Sequence, residues 1–424
     1  MSSELAVLLV MIAAFAGGVL WLRIPSGLAL ALAALLGALV GGEGFPLRHL
    51  VEGMFAYFDA VLIIASAMVF MKALEASGAL GTISHVMIKR LHRHPTFLMV
   101  FVMIFVMFPG MLTGLSSVCV LTTGALVAPA LLAFGMPKRA LASFLAIGGV
   151  LGMTAPPINI PVMIIGGGVD MPYIGFEKPL LVATVPLALA VAAYYRVRYR
   201  ASFAPDRLLE NLPASLHTQH GVKLFLPLVV VIGLMAAIRI VPRWIPDIGI
   251  PLIFVIGTLT AIGTGEKIRL GRIAQTGVRD ALPVMSILVG VGMFVQIMTL
   301  TGVRGFLAVS ALEVPSVFLF VAIALVMPAF GSAYASASVV GIPFLFAFLG
   351  HNEIVIASAL SLIAGLADLM PPPLLLCVLG GQVAGEENHF RILKAALLPA
   401  VAAQACGIAM IAFSREIGAF LGIH

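Results

Sequence analysis

Residues Ala142 to Gly167 read ASFLAIGGVLGMTAPPINIPVMIIGG. The run is apolar enough to cross a bilayer, yet Gly148-Gly149, Gly152, Pro156-Pro157 and Pro161 interrupt its centre. A proline inside a helix removes a backbone donor, and its ring clashes with the carbonyl four residues back. In hydrocarbon the freed backbone groups need partners in protein, water or ligand. A broken membrane helix is therefore costly, and its usual return is a binding site built from the exposed backbone ends. A second copy, Ala357 to Gly381, reads ASALSLIAGLADLMPPPLLLCVLGG. Ala142-Ser143 corresponds to Ala357-Ser358 and Pro156-Pro157 to Pro371-Pro372 at one constant offset. The two broken spans are expected at the centre of the protein.

Composition sets the class. Of 424 residues, 62% are hydrophobic and 10% charged, against roughly 25% charged in a soluble domain. The chain reads as an all-α polytopic membrane protein. Its net charge of +6 does not point to nucleic acid, because the basic residues sit between apolar runs, where positive-inside residues belong. Cys119, Cys377 and Cys406 lie in apolar stretches without metal spacing. The N-terminus lacks a basic n-region and an A-x-A site, so it reads as a first span and not as a cleaved signal.

Working outward, the chain divides into 1–200, a connection 201–222, and 223–424. The first part is read as spans Leu5–Leu22 and Ser26–Val40, a polar loop Glu43–Glu52, and a span Phe55–Leu74. At the end of that span Lys72 and Glu75 are spaced to pair. After Gly78 comes a basic amphipathic segment, Ile83–His94, of the kind that lies at the headgroup level. A helical hairpin over about 96–134 turns at Pro109-Gly110, Gly114 and a Ser/Thr-rich patch. The first broken helix covers about 140–167. The second part repeats this order, with a hairpin over about 314–349 broken at Pro328 and Gly331-Ser332, and a broken helix over about 353–381. The total is about ten full spans plus two hairpins.

Orientation follows from charge. With the N-terminus outside and both hairpins returning to the side they enter, 18 of the 24 Lys and Arg face the cytoplasm and 6 face out. An odd number of crossings then separates Gly78 from its counterpart Gly302, so the two repeats have inverted topology. Inverted repeats with re-entrant hairpins and broken helices are the architecture of secondary transporters.

The chemistry of such a site can be read from the residues. Helix N-termini present free N–H groups and partial positive charge, and so can hold a carboxylate. Broken-helix carbonyls with Ser, Thr and Asn oxygens suit sodium. Cation binding is assigned to Thr113, Gly114, Ser116, Ser117, Gly152 and Pro156 in the first half, and to Gly331, Ser332, Ser336, Asp368 and Pro371 in the second. Substrate binding is assigned to Ser117, Pro157, Asn159, Ser338 and Pro372. The competing reading of any one of these hydroxyls is a bond back to its own helix. Asp368 is the acidic residue placed deep in a span, and an intramembrane carboxylate is a functional-site hypothesis by default. It can serve as a sodium ligand or as a proton carrier.

Thr113-Gly114-Leu115-Ser116-Ser117, then Gly148-Gly149-Val150-Leu151-Gly152, Pro156-Pro157 and Gly166, resemble the large membrane subunit of TRAP transporters (DctM-like). Gly365-Leu366, Pro371-Pro372 and Gly380-Gly381 resemble that family's second repeat, and the likeness spans nearly the whole chain. It implies a sodium-coupled elevator carrier for organic acids in the inner membrane. Such a carrier works with a small membrane subunit and an extracytoplasmic solute-binding protein, without an organic cofactor or enzymatic activity. The wider ion transporter superfamily also includes stand-alone carboxylate carriers. The chain departs from the pattern at Ile158-Asn159, where Ser is usual after the first Pro-Pro. It departs also at the second tip, which lacks Asp, and at Asp368, where an uncharged residue is usual. A rival from another class is an intramembrane aspartyl protease using Asp59 and Asp368.

Overall fold

The computed structural model describes residues 3–199, 221–240, 246–311, 314–371 and 373–423. Most of the 201–222 connection and Pro372 therefore lie outside the described residues. Among those described, the fold is entirely helical. The first part contains α1 (Ser3–Leu20), α2 (Ser26–Val40), α3 (Leu47–Phe55), α4 (Phe58–Ala76), α5 (Ala79–Leu91), α6 (Pro95–Thr113), α7 (Ser116–Ala133), α8 (Lys138–Thr154), α9 (Ile160–Gly167) and α10 (Glu177–Arg198). The second contains α11 (Leu226–Ile240), α12 (Ile250–Thr264), α13 (Leu270–Leu300), α14 (Val303–Ala311), α15 (Ser316–Ala329), α16 (Ala333–Phe346), α17 (Glu353–Gly365), α18 (Leu375–Ala384), α19 (His389–Ala412) and α20 (Ser414–Leu421). Seven of the described helices are long and apolar enough to cross a membrane, or up to eight if the bent pair α3–α4 is one span.

The chain turns at matched points in its two parts. Gly78 and Gly302, Gly114 and Gly331, and Gly135 and Gly350 all have positive φ, which a residue with a Cβ rarely adopts. In both hairpins the second arm carries a π-type turn shortly after its start, Val120–Gly124 and Ser336–Gly341. The arms are tied across the turn. The Gly110 N–H donates to Cys119 Sγ at 3.0 Å and the Thr123 hydroxyl to the Val106 carbonyl at 3.3 Å. In the other hairpin the Ser336 hydroxyl donates to the Met327 carbonyl at 2.8 Å.

The centre is made of α8 and α17. Every residue from Ala140 to Thr154 and from Val355 to Gly365 is buried. Against them pack α6, α18 and α19, together with α9, α10 and the second hairpin. A second group of helices forms a frame in which the two parts are interleaved: α2 packs on α13, and α12 on α4. Glycines allow the closest of these crossings. A methyl group on Gly292 would collide with the Gly53 carbonyl, and one on Gly53 would lie 2.6 Å from the Gly292 carbonyl.

One local expectation changes. The Glu43–Glu52 stretch, read as a polar loop, enters α3 at Leu47. Arg48 and Glu52 pair at 2.8 Å across one turn, while Leu50 and Gly53 are buried on the other face. Its four-residue spacing is helical, and its few apolar positions were too sparse to mark a helix alone. Lys72 reaches Glu75 at 3.5 Å and also Asp280 of α13 at 3.0 Å.

Candidate functional site

The second broken span builds the site. After α17 the chain tightens into a 3₁₀ turn, Leu366–Leu369, and the next helix begins at Leu375. Asp368 sits in that turn and is 2% exposed. Its Oδ2 accepts the Ser116 hydroxyl at 2.6 Å, and its Oδ1 accepts the Ala333 N–H at 2.8 Å. These donors begin α7 and α16, so one carboxylate closes on the N-termini of both hairpin return arms. The two helix starts bring partial positive charge to this point, where negative charge is drawn. Among the described residues no Lys or Arg pairs with it. Tyr334 completes the junction, donating from its hydroxyl to the Gly114 carbonyl at 2.9 Å.

This junction forms the inner end of a cavity of about 1050 Å³ between the hairpin tips and frame helices α1, α4 and α13. Ser116, Ser117, Gly331, Ser332 and Asp368 line it, as do Tyr334, Phe330 and Pro373. Arg23, Lys72, Glu75, Arg279 and Asp280 line it as well.

Several residues expected at the site stand elsewhere. The Thr113 hydroxyl donates to the Pro109 carbonyl at 2.7 Å, that of Ser338 to the Ala335 carbonyl at 3.1 Å, and Ser336 ties its hairpin arms. Backbone bonding inside the hairpins occupies all three. Gly152 is packed against Met107 and Cys119, where any side chain would clash. Pro371 is exposed and does not line the cavity.

The first break differs most from expectation. Its freed backbone groups are satisfied by the protein itself. Asn159 Nδ2 donates to the Thr154 carbonyl at 2.8 Å and to the Ser361 hydroxyl at 2.9 Å. Its Oδ1 caps α9 by accepting the Val162 N–H at 2.9 Å. The Tyr173 hydroxyl donates to the Pro157 carbonyl and accepts the Asn159 N–H, and the Ile158 N–H reaches the Met111 carbonyl. Pro156, Pro157 and Asn159 therefore hold the broken helix together and do not reach the cavity. The cap was legible as Asn followed by a proline two residues on, a helix-start pattern. Tyr334 was missed because a lone tyrosine in an apolar run reads as packing.

Asp59 is exposed in the first turn of α4, whereas both oxygens of Asp368 bond to the hairpin tips. The facing pair an aspartyl protease needs is not formed.

From Arg279 to Leu300, α13 rises about 32 Å, and just beyond it Arg304 of α14 pairs with Asp170 at 2.9 Å. Arg304 also lies 5.5 Å from the Phe346 ring centroid at the end of α16. Nearby, the Tyr57 hydroxyl at the α3–α4 bend donates to the Ile164 carbonyl of α9 at 3.0 Å.

No protein-family model matches the chain, and no curated protein matches it. Among solved structures it is similar to the YdaH transporter of Alcanivorax borkumensis, a protein described as having an unusual topology. The TM-score is 0.60, over 87% of this chain and 88% of that one, at 17% sequence identity. At that identity the likeness is one of fold: an all-helical, multi-pass membrane architecture shared along nearly the full length of both chains.

Proposed function

We propose that the protein is a cation-coupled secondary transporter that imports a small organic acid by an elevator mechanism. The observation that carries this reading is the junction at Asp368, where two hairpin tips and a broken helix meet at the end of a cavity bordered by a separate frame. Likeness in fold to a solved transporter supports it. In this reading the hairpins and broken spans move as one body against the frame, and the inverted relation of the two repeats supplies the second, outward-facing state. Sodium is the first choice of coupling ion and a proton the second. The tips supply hydroxyls and Asp368 supplies the charge.

The motif resemblance makes the chain the large permease of a TRAP-type system, in the inner membrane with its N-terminus outside. A small membrane subunit and an extracytoplasmic solute-binding protein would be its partners. A second reading, as a stand-alone carboxylate carrier, is compatible with the fold likeness that covers 88% of a transporter chain.

Uptake into proteoliposomes containing this chain alone tests both. Sodium-driven accumulation of a radiolabelled carboxylate by the chain alone identifies a stand-alone carrier. Accumulation only after adding a small membrane subunit and an extracytoplasmic solute-binding protein identifies a tripartite one. No accumulation under either condition, with sodium or proton gradients, refutes transport.

A further inference from the structure

Basic side chains are treated differently at the two ends of the molecule. Of the cations that the charge count places outside, four have described side chains, and each is bonded within the protein. Arg48 pairs with Glu52 at 2.8 Å and Arg304 with Asp170 at 2.9 Å. Lys178 donates to the Leu421 carbonyl at 2.7 Å and Arg415 to the Gly350 carbonyl at 3.4 Å. The end read as cytoplasmic is different. Lys89, Arg90 and Arg93 in and just after α5, Lys223 before α11, and Lys267 and Arg269 before α13 are all exposed. Among the described residues none of these six pairs with a carboxylate, although Glu266 stands in the same segments.

The fold brings the three segments together. The Glu266 N–H reaches the Ser77 carbonyl at 3.5 Å, at the joint between α4 and α5. The turn Gly221–Phe225 packs on α5. α5 buries Ala79, Leu80 and Ile88 and carries its cations toward its far end, with Lys89 about 16 Å along the axis from Gly78. The charges therefore form an extended strip and do not converge on one point. Exposed apolar side chains stand beside them in the chain: Val222 and Leu226 flank Lys223, Leu270 follows Arg269, and Phe97 lies one turn beyond Arg93.

We propose that this strip is a docking surface for anionic phospholipids of the cytoplasmic leaflet. Their headgroups neutralise the cations, and their acyl chains cover the apolar residues beside them. A soluble anion would answer the charge alone and leave those apolar neighbours in water. The strip lies where the chain passes from the frame through α5 into the first hairpin. The proposal does not depend on what the protein carries.

The test titrates the full chain, in a neutral detergent, with dioleoyl phosphatidylglycerol or dioleoyl phosphatidylcholine, and counts bound lipid by native mass spectrometry. Phosphatidylglycerol should bind at least tenfold more tightly, and raising sodium chloride from about 0.1 to about 0.5 M should narrow that gap. Each Lys or Arg beside an anionic surface is worth about fivefold. The double variants Arg90→Gln, Arg93→Gln and Lys267→Gln, Arg269→Gln should therefore each weaken phosphatidylglycerol about tenfold or more and leave phosphatidylcholine unchanged. The double variant Arg48→Gln, Arg415→Gln makes the same change of net charge at partnered cations, and should stay within twofold of wild type. Equal binding of the two lipids by the wild type would overturn the proposal, whether or not a variant folds. An equal loss in the control would show that net charge acts and not this strip. Unchanged binding in both strip variants would place the lipid elsewhere. Displacement of phosphatidylglycerol by an equal concentration of glycerol 1-phosphate would overturn the lipid in favour of a soluble anion.

Discussion

The Ser116 hydroxyl and the Asp368 carboxylate, 252 positions apart in the chain, meet at 2.6 Å in the interior of the molecule. The Ala333 N–H completes the arrangement from a third segment. A charge on Asp368 is thus held by the first turns of two different helices, and any cation that joins it must share or replace those donors.

Asp368→Asn removes the charge while keeping the shape and one oxygen. The variant should lose at least tenfold in sodium affinity, read as sodium-dependent thermal stabilisation. If a proton and sodium compete at Asp368, wild-type sodium affinity falls as the pH is lowered from 8.5 to 5.5, because protonation removes the ligand charge. In the variant that dependence should flatten. Unchanged affinity and an unchanged pH profile would mark Asp368 as structural.

Ser116→Leu and Ser332→Leu each fill the inner end of the cavity and should abolish ion-driven uptake. Ser116→Ala is milder. It leaves one Asp368 oxygen without its donor, a loss of about 1–3 kcal/mol if no water takes its place. Undiminished sodium-driven uptake in both leucine variants would mean that the tips do not hold the ion.

Asn159→Ala separates stability from binding. It removes a helix cap and two further hydrogen bonds, and should cost about 2 kcal/mol or more in stability. Sodium affinity of the folded fraction should stay within twofold of wild type. A selective loss of ion or substrate affinity at normal thermal stability would return Asn159 to the site.

Gly292→Val presses a branched side chain onto the Gly53 carbonyl in the frame, and should lower stability by about 3 kcal/mol. Gly263→Ala is the control, since a methyl there meets nothing within 4 Å. It should be neutral or stabilising by up to about 1 kcal/mol. Comparable melting temperatures for the two variants would show that the glycine crossing is looser than its geometry.

Orientation can be checked by labelling single cysteines in intact cells with an impermeant reagent. A cysteine in the 201–222 connection should be protected, and one at Lys178 labelled. The opposite pattern would invert the topology read from the charge count.

The sequence made the breaks legible but not their use. Positive-φ turns at Gly114 and Gly331, the apolar helix Ser26–Val40 and the Lys72–Glu75 pair were all readable, because local chemistry decides each of them. Which hydroxyls face the cavity was not. Ser116 and Ala333 stand at the same place after the Gly114 and Gly331 turns and both reach Asp368, whereas the Ser336 hydroxyl, three residues further on, bonds its own Met327 carbonyl. That choice depends on packing across 252 positions, which no window along the chain contains. The two proline breaks read alike and behave differently for the same reason. The first has Asn159 and Tyr173 to satisfy its backbone, while the second places a carboxylate where tips from both parts converge.

The Arg304–Asp170 pair has a consequence for timing. The Asp170 side chain is 81% exposed, and ion pairs so open to water are worth about 0–1 kcal/mol and weaken with salt. In the proposed cycle this contact would shift the balance between the two faces by no more than about fivefold. The protein would then dwell on one side by a slight preference and not by a lock. Ionic strength alone, with no ligand and no mutation, would retune how long it waits there.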